Sequence, residues 1–559
     1  MNPNLEIQVE NLDHLGLVAG MIDEIGIVEQ INQLVGEQPG EIVSPGHAVK
    51  AMIMNGLGLV SAPLYLFAKF FEGKATEHLI GEGIQPQHLN DHRLGRVLDK
   101  LYLTGLSQIF TVIALGAAKK FNIATETAHL DSTSFHVHGE YENKMPQVVL
   151  KTESNQSDDR EGSASNEQVV PQPITITYGY SRDHRPDLKQ FILDLICSGD
   201  GDVPLFLKVA DGNCSDQAVF AKIFTEFKQQ LNLEALMVAD SALYTVPNLA
   251  LLKTLKWLTR VPLTLKQAKQ LISQLMDKDF TSSEIAGHRW SQQSSKYGGI
   301  KQRWLVVESE IRRKSDLSRL DRKLEKAETE ANKQLRKLGT QKFACQPDAI
   351  AALTQLSQKL KYHNLTAIKT IELGSTSPAS GSVSAETAPQ MTCQIQATLE
   401  RDQRVIAAET NQAGRFVLAT NVLNVTELSN DQMLFKYKQQ QSSERGFGFL
   451  KDPLFFTDSV FLKSPERVEA LALLMGLCLL VYTLAQRQLR QTLHHSQSGL
   501  KNQLGKLTSR PSLRWIFQCF QSVHLLLVHG VKHISNLTPE RLDILRFFPH
   551  ACRRYYLLL

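Results

Sequence analysis

The hydrophobic pattern changes period near residue 122, and that change constrains the fold more than any other feature of the chain. Residues 11–120 carry the three- and four-residue spacing of helices almost throughout. Ser44-Pro45 predicts a helix start, a capping hydroxyl followed by proline at the first helical position. Asn90 predicts another, with Leu94, Val97, Leu98 and Leu101 on one face and Arg93, Arg96 and Lys100 on a separate polar face. From Ala128 to Val137 the period becomes that of a strand, with alternation through Thr133, Phe135 and Val137. Further strands are expected over 174–180, 191–197 and 205–210, a helix over 217–231, and a short buried strand over 235–239 ending on Asp240. Strand, helix and strand in this order predict a mixed α/β domain.

The chain has 559 residues, more than one ordinary core accommodates. At roughly 150 residues per domain it holds about three or four units. Residues 317–338 form a charged amphipathic stretch whose Leu317, Leu320, Leu324, Ala327, Ala331, Leu335 and Leu338 make a coiled-coil-like seam. The stretches 151–168 and 374–390 are polar or Ser/Ala/Gly/Pro-rich and are expected to be loops. Strand patterns return at 392–399 and 415–420, and from Asp431 onward the chain is expected to be mainly helical.

Composition narrows the function classes. Net charge is only +4, so any contact with nucleic acid must come from local basic patches. The cationic run Arg312, Arg313, Lys314, Arg319, Arg322 and Lys323 is balanced further on by Glu325, Glu328 and Glu330, which favours a solvated helix. The seven cysteines are dispersed with no CxxC pair, which fits a reducing cytosol. Residues 1–10 are polar and acidic rather than a signal-peptide core. The apolar run 470–485 is bounded by Glu469 and Arg487. It falls short of the roughly 20 residues that span a bilayer and is expected to be a buried core helix, so no membrane partner is expected.

Three carboxylates stand out by context. Asp131 lies inside an apolar-alternating strand, and Asp240 ends the strand 235–239. A carboxylate leaving a buried strand is costly unless paired, and a divalent cation is one such partner. Taken alone, each aspartate reads equally well as a turn residue. Asp211 also follows a strand and competes with Asp240, but Gly212-Asn213 behind it reads as a turn. The third carboxylate, Glu444, shares a predicted helical face with Tyr437, Gln440 and Lys451. A phenol, an amide and an ammonium around a carboxylate suit a phosphodiester, with Lys451 as a point charge for phosphate. His136 and His138 form an H-x-H pair that fits zinc, but no further ligand cluster accompanies them, and pairing or packing accounts for them better.

The spacing Tyr437-x2-Gln440-x3-Glu444-x6-Lys451 resembles the Tyr-x2-Arg-x3-Glu-x6-Lys signature of a large group of DDE insertion-sequence transposases. The surroundings of Asp131 (129–133) and Asp240 (238–244), and the stretches 179–187 and 211–216, are similar to theirs as well, in the same order. The resemblance runs from about residue 128 to 490. The helical segment before it is similar to one found in a subgroup. The family arginine is Gln440 here, which keeps hydrogen bonding and loses the charge.

The resemblance implies an RNase H-like mixed sheet flanked by helices, with Asp131 on its first strand, Asp240 after its fourth and Glu444 on a later helix. It implies a helical N-terminal domain over 1–122, with Arg93, Arg96 and Lys100 available to terminal DNA. The catalytic core would occupy 123–262, an insertion domain 263–430, and the rest of the core with a helical tail 431–559. It implies two Mg2+ (or Mn2+) ions held by Asp131, Asp240 and Glu444, about 3.5–4 Å apart, which activate an attacking oxygen and stabilise a leaving one. DNA contact would involve Tyr437, Gln440 and Lys451. The expected partners are double-stranded DNA, as terminal inverted repeats and target, and further copies of the chain in a dimer or larger assembly, in the bacterial cytoplasm at the nucleoid. An inactive DNA-binding copy and a stand-alone metal nuclease are the rival expectations.

Overall fold

The computed structural model describes residues 7–59, 62–63, 66–141, 171–181, 183–231, 234–373, 392–452 and 462–559. The loops expected over 151–168 and 374–390 lie outside the described residues. The chain divides into two units, Met1–Thr259 with Phe435–Leu559, and Arg260–Leu434.

The first unit opens with strand β1 (Ile7–Asn11) and then helices, as the periodicity predicts. Ser44 caps the helix Pro45–Gly56, its hydroxyl accepting from the His47 amide at 3.2 Å. Asn90 caps Asp91–Thr104, accepting from the Arg93 amide at 3.0 Å, and Leu94, Val97, Leu98 and Leu101 are all buried. The helix Leu15–Ile25 crosses the C-terminal helix His550–Leu557 at Gly20. A Cβ there would come within 2.3 Å of the Cys552 Cα, so only glycine permits the crossing.

Five strands form the sheet of this unit: β2 (Thr127–Val137), β3 (Lys189–Ser198), β4 (Pro204–Ala210), β5 (Leu236–Ala239) and β6 (Trp257–Val261), in the order β4-β3-β2-β5-β6. The first three pair antiparallel, whereas β5 runs parallel to β2 and β6 parallel to β5. A parallel return needs a crossover, which the helix Asp216–Leu231 supplies. The strand expected over 174–180 is absent, and the segment makes a single bridge, Thr177 to Gln190. Its β-branched alternation is genuine, but β4 already occupies that edge of β3 from Ile192 onward and leaves only Gln190 to pair.

The second unit carries β7 (Thr281–Ser282), β8 (His288–Tyr297), β9 (Ile300–Ser309), β10 (His363–Leu373), β11 (Thr392–Arg401) and β12 (Arg415–Thr420). Strands β12, β9, β8 and β7 lie side by side, and β10 and β11 form a separate hairpin. The expected coiled seam lies on the helix Glu310–Thr340, but its partners are within the unit. Leu320 and Leu324 pack with Tyr362, Val405 and Ile406, while Leu335 and Leu338 pack against Phe343, Leu353 and Ile395. An apolar stripe on a helix fixes that a partner exists; here a hairpin and two shorter helices supply it.

After the helices Asn430–Lys438 and Gln441–Leu450, the apolar run lies in Pro465–His495. This helix is long and apolar enough to cross a membrane, yet 83% of its most apolar window is buried in the structure, as expected of a core helix. Beyond it come two hairpins, β13 (Leu500–Lys501) with β14 (Leu507–Thr508) and β15 (His524–Val528) with β16 (Val531–Ser535). The second departs from the mainly helical expectation. Strand β15 pairs antiparallel with β1, a partner more than 500 positions away that local periodicity does not reveal.

Candidate functional site

Strand register sets two of the three carboxylates level. Strands β2 and β5 are parallel, with His129 opposite Val238. Two residues beyond that pair stand Asp131, still on β2, and Asp240, the first residue past the end of β5. Both are partly exposed while the strands beneath them are buried. Asp131 Oδ1 accepts from the Ser132 amide at 2.9 Å. Asp240 Oδ1 accepts from the Ala242 amide at 2.8 Å, starting the short 3-10 turn Ser241–Leu243, and the Asp240 carbonyl takes the Thr259 hydroxyl at 2.5 Å.

Glu444 is exposed on the helix Gln441–Leu450. Its neighbour Ser443 is fully buried, and the Ser443 hydroxyl donates to the His129 carbonyl at 3.1 Å. The helix bearing Glu444 is thereby fastened to the strand bearing Asp131, two positions before that aspartate. Lys436 on the preceding helix donates to the Thr127 hydroxyl of the same strand at 2.9 Å. His129 itself is fully buried, with no hydrogen-bond partner at either ring nitrogen among the described residues. Burial, reinforced by Lys436, pushes its pKa down to about 4, so the ring is neutral.

The expected single face of Tyr437, Gln440, Glu444 and Lys451 is not continuous. One helix ends at Lys438, the next starts at Gln441, and Gln440 sits between them as the cap residue, only 9% exposed. Helical spacing cannot be carried across such a break. Arg445, beside Glu444, is held by Asp202 through two bonds of 2.7 Å. Lys451 donates to Asp183 at 2.6 Å and lies over the Phe135 ring at 5.6 Å. The stretch 179–187 is thus joined to the helix that carries Glu444. His136 pairs with Ser181 at 2.9 Å and faces Asp183 at 3.6 Å.

Asp211 accepts from the Thr175 amide at 2.7 Å at the end of β4, with β3 and β2 between it and the strand of Asp240, and so serves the loop backbone. On the helix Asp91–Thr104, Arg93 makes a fork on Glu41 at 2.8 and 2.7 Å, with Lys100 3.8 Å from the same carboxylate. Arg96 is exposed. Among the described residues no group of three or more His, Cys, Asp or Glu forms a ready-made metal cage. Sequence reasoning missed Asp194, a fully buried carboxylate on β3 that takes the Ser132 hydroxyl across the strand pair, and Ser443. A lone acid in an apolar strand marked Asp194; nothing local marked Ser443.

A family model described as a domain of unknown function (DUF4277) matches residues 7–115. No curated protein matches the chain. Among solved structures, the chain is similar to the piggyBac transposase in its cryo-EM synaptic complex with hairpin DNA. That match has 8% identity, covers 98% of this chain and 84% of the other, and has a TM-score of 0.35. At that score the likeness carries no argument about activity.

Proposed function

We propose that the chain is a DNA transposase of the DDE insertion-sequence type, which cleaves element ends and joins them to target DNA. The observation that carries this reading is the level placement of Asp131 and Asp240 on neighbouring parallel strands, with the Glu444 helix bonded to the same strand through Ser443. Counted within its sheet, β2 is the first strand and β5 the fourth, the positions that the sequence resemblance assigns to the first two carboxylates of an RNase H-like core. The second unit then corresponds to the insertion between Asp240 and Glu444.

The donor set fits Mg2+ or Mn2+. Magnesium takes oxygen ligands, commonly one or two carboxylates, and leaves its other positions to water and substrate phosphate. Asp131 and Asp240 provide such a pair, and Glu444 is the third ligand of the proposal. When bound, the ions supply Lewis acidity to the scissile phosphodiester. Lys451 holds a phosphate after exchanging its exposed Asp183 partner for it. Water attacks the phosphodiester and frees a 3′ hydroxyl, which then attacks a phosphodiester of target DNA and displaces the 3′ oxygen of the target strand. Terminal inverted repeats, a homo-oligomeric assembly on paired ends and a cytoplasmic location belong to the same proposal.

A strand-transfer assay with labelled element ends and magnesium tests it. Cleaved and joined products are expected. Cleavage without joining would assign the chain as a nuclease, and binding without cleavage would make it an inactive DNA-binding copy.

A further inference from the structure

Tyr178 and Tyr180 are 58% and 85% exposed, whereas Tyr102, Tyr141, Tyr244, Tyr362, Tyr555 and Tyr556 are buried. Looseness does not explain the exposure, because the segment that carries them is tied at every turn. The Ile174 amide donates to Glu469 and the Thr175 amide to Asp211, both at 2.7 Å. The Gly212 amide donates to the Thr175 carbonyl at 3.0 Å, and Thr177 and Gln190 exchange backbone hydrogen bonds. The Gln190 side chain donates to the Tyr180 carbonyl at 3.3 Å and to the Gly212 carbonyl at 2.7 Å. Between the two tyrosines, Gly179 faces inward. A Cβ on it would meet the Gly212 carbonyl oxygen at 2.1 Å and the Gln190 side-chain Nε2 at 2.5 Å. Residues two apart in an extended segment point the same way. With Gly179 locked against the sheet edge, both rings are held out in solvent.

Their position is telling. Thr177 bridges Gln190, and Gln190 lies opposite His136, five residues beyond Asp131 along β2, or about 16 Å at strand rise. The Lys451 ammonium lies at the same end, against Asp183 and Phe135, and Arg185 pairs with Asp187 nearby at 2.8 Å. Both ion pairs are partly exposed and weak enough for phosphate to replace the carboxylate. Paired aromatic faces beside cations suit a nucleic-acid strand whose bases are unpaired, since stacking needs only a π-face and tolerates any base.

We propose that Tyr178 and Tyr180 form a stacking platform for unpaired bases of the DNA strand that leaves the Asp131–Asp240 site. The inference rests on the transposase reading and deepens it, because the strand must be frayed or single beyond the site. The test is fluorescence anisotropy of the full chain, without metal, on a labelled single-stranded oligonucleotide and on a blunt duplex. Tyr178→Ala and Tyr180→Ala should each weaken single-strand binding roughly five- to a hundredfold, the usual range for one stacked base. Duplex binding and the melting temperature should be unchanged, and Tyr178→Phe and Tyr180→Phe should bind as wild type. Alanine variants that bind single strand like wild type, phenylalanine variants as weak as alanine ones, or an equal loss on duplex would each overturn the platform. A wild-type chain that binds neither oligonucleotide would instead overturn the transposase reading.

Discussion

Ser443 donates its hydroxyl to the main-chain oxygen of His129 at 3.1 Å, and this bond links the helix of Glu444 to the strand of Asp131. A neutral buried hydrogen bond contributes about 1 kcal/mol net. Ser443→Ala should therefore lower stability by about that amount. Cleavage should fall by about fivefold where the same energy is felt at the site. Ser443→Thr keeps the hydroxyl and should recover much of the loss. Chemical denaturation and single-turnover cleavage check the pair; equal activity of the Ala and Thr variants would detach this bond from the site's geometry.

Removing one carboxylate charge at a time should separate chemistry from binding. Asp131→Asn, Asp240→Asn and Glu444→Gln preserve shape, and their side chains are at least partly exposed, so folding should be little affected. Each should abolish magnesium-dependent cleavage and leave DNA affinity close to wild type. A variant that cleaves at near wild-type rate removes its residue from the proposed ligand set.

Lys451 is paired with Asp183 at 2.6 Å, the partner that the proposed phosphate would replace. Lys451→Ala should weaken DNA binding and reduce the log–log salt slope by about 0.9, the value for one phosphate contact. Asp183→Asn removes the internal competitor at 2.6 Å and should tighten binding at low salt. A titration of Asp183→Asn over ionic strength that superimposes on wild type would show that the lysine never leaves its carboxylate.

On the helix Asp91–Thr104 the three cations should part company. Arg93 is held by Glu41 through a two-bond fork and is only 12% exposed at its side chain, so Arg93→Ala should cost stability, about 1–3 kcal/mol for a broken charged hydrogen bond, with the DNA salt slope unchanged. Exposed Arg96 is the member of the set whose loss should lower that slope. Thermal melts and filter-binding titrations of the two single variants distinguish the roles.

What the sequence made legible follows from the range of each signal. The strand signal over 128–137 and the caps at Ser44 and Asn90 are local, and the structure carries all three elements, although β2 is buried on both faces along most of its length. Asp131 and Asp240 could be singled out because an acid inside or just past a buried strand violates a local rule. The level placement of Asp131 and Asp240 depends on a strand register across more than a hundred residues, which no window contains. The break at Gln440 was hidden because nothing between Lys438 and Gln441 is a helix breaker, and the Ser443 bond that fastens the next helix to β2 lies far away in sequence. The 174–180 strand failed for the converse reason: its pattern was right, but β4 had taken the edge.

Glu469 gives the tyrosine-bearing segment a pH dependence of definite sign. Its carboxylate accepts from the Ile174 amide at 2.7 Å within the protein. Burial, reinforced by Glu466 and Asp211 and opposed by that amide, raises its pKa from 4.5 to about 7. Between those values the unfolded chain has lost the proton and the folded chain retains it. Folding therefore takes up a proton, and stability falls as pH rises through this window. Glu469→Gln keeps the accepting oxygen and removes the charge. The variant should melt higher than wild type at about pH 8, and the difference should shrink steadily toward the acid end of the window. Melting curves at about pH 5 and pH 8 decide it: a gap that is the same at both pH values would mean that Glu469 titrates as an ordinary carboxylate and does not govern the hold on Ile174.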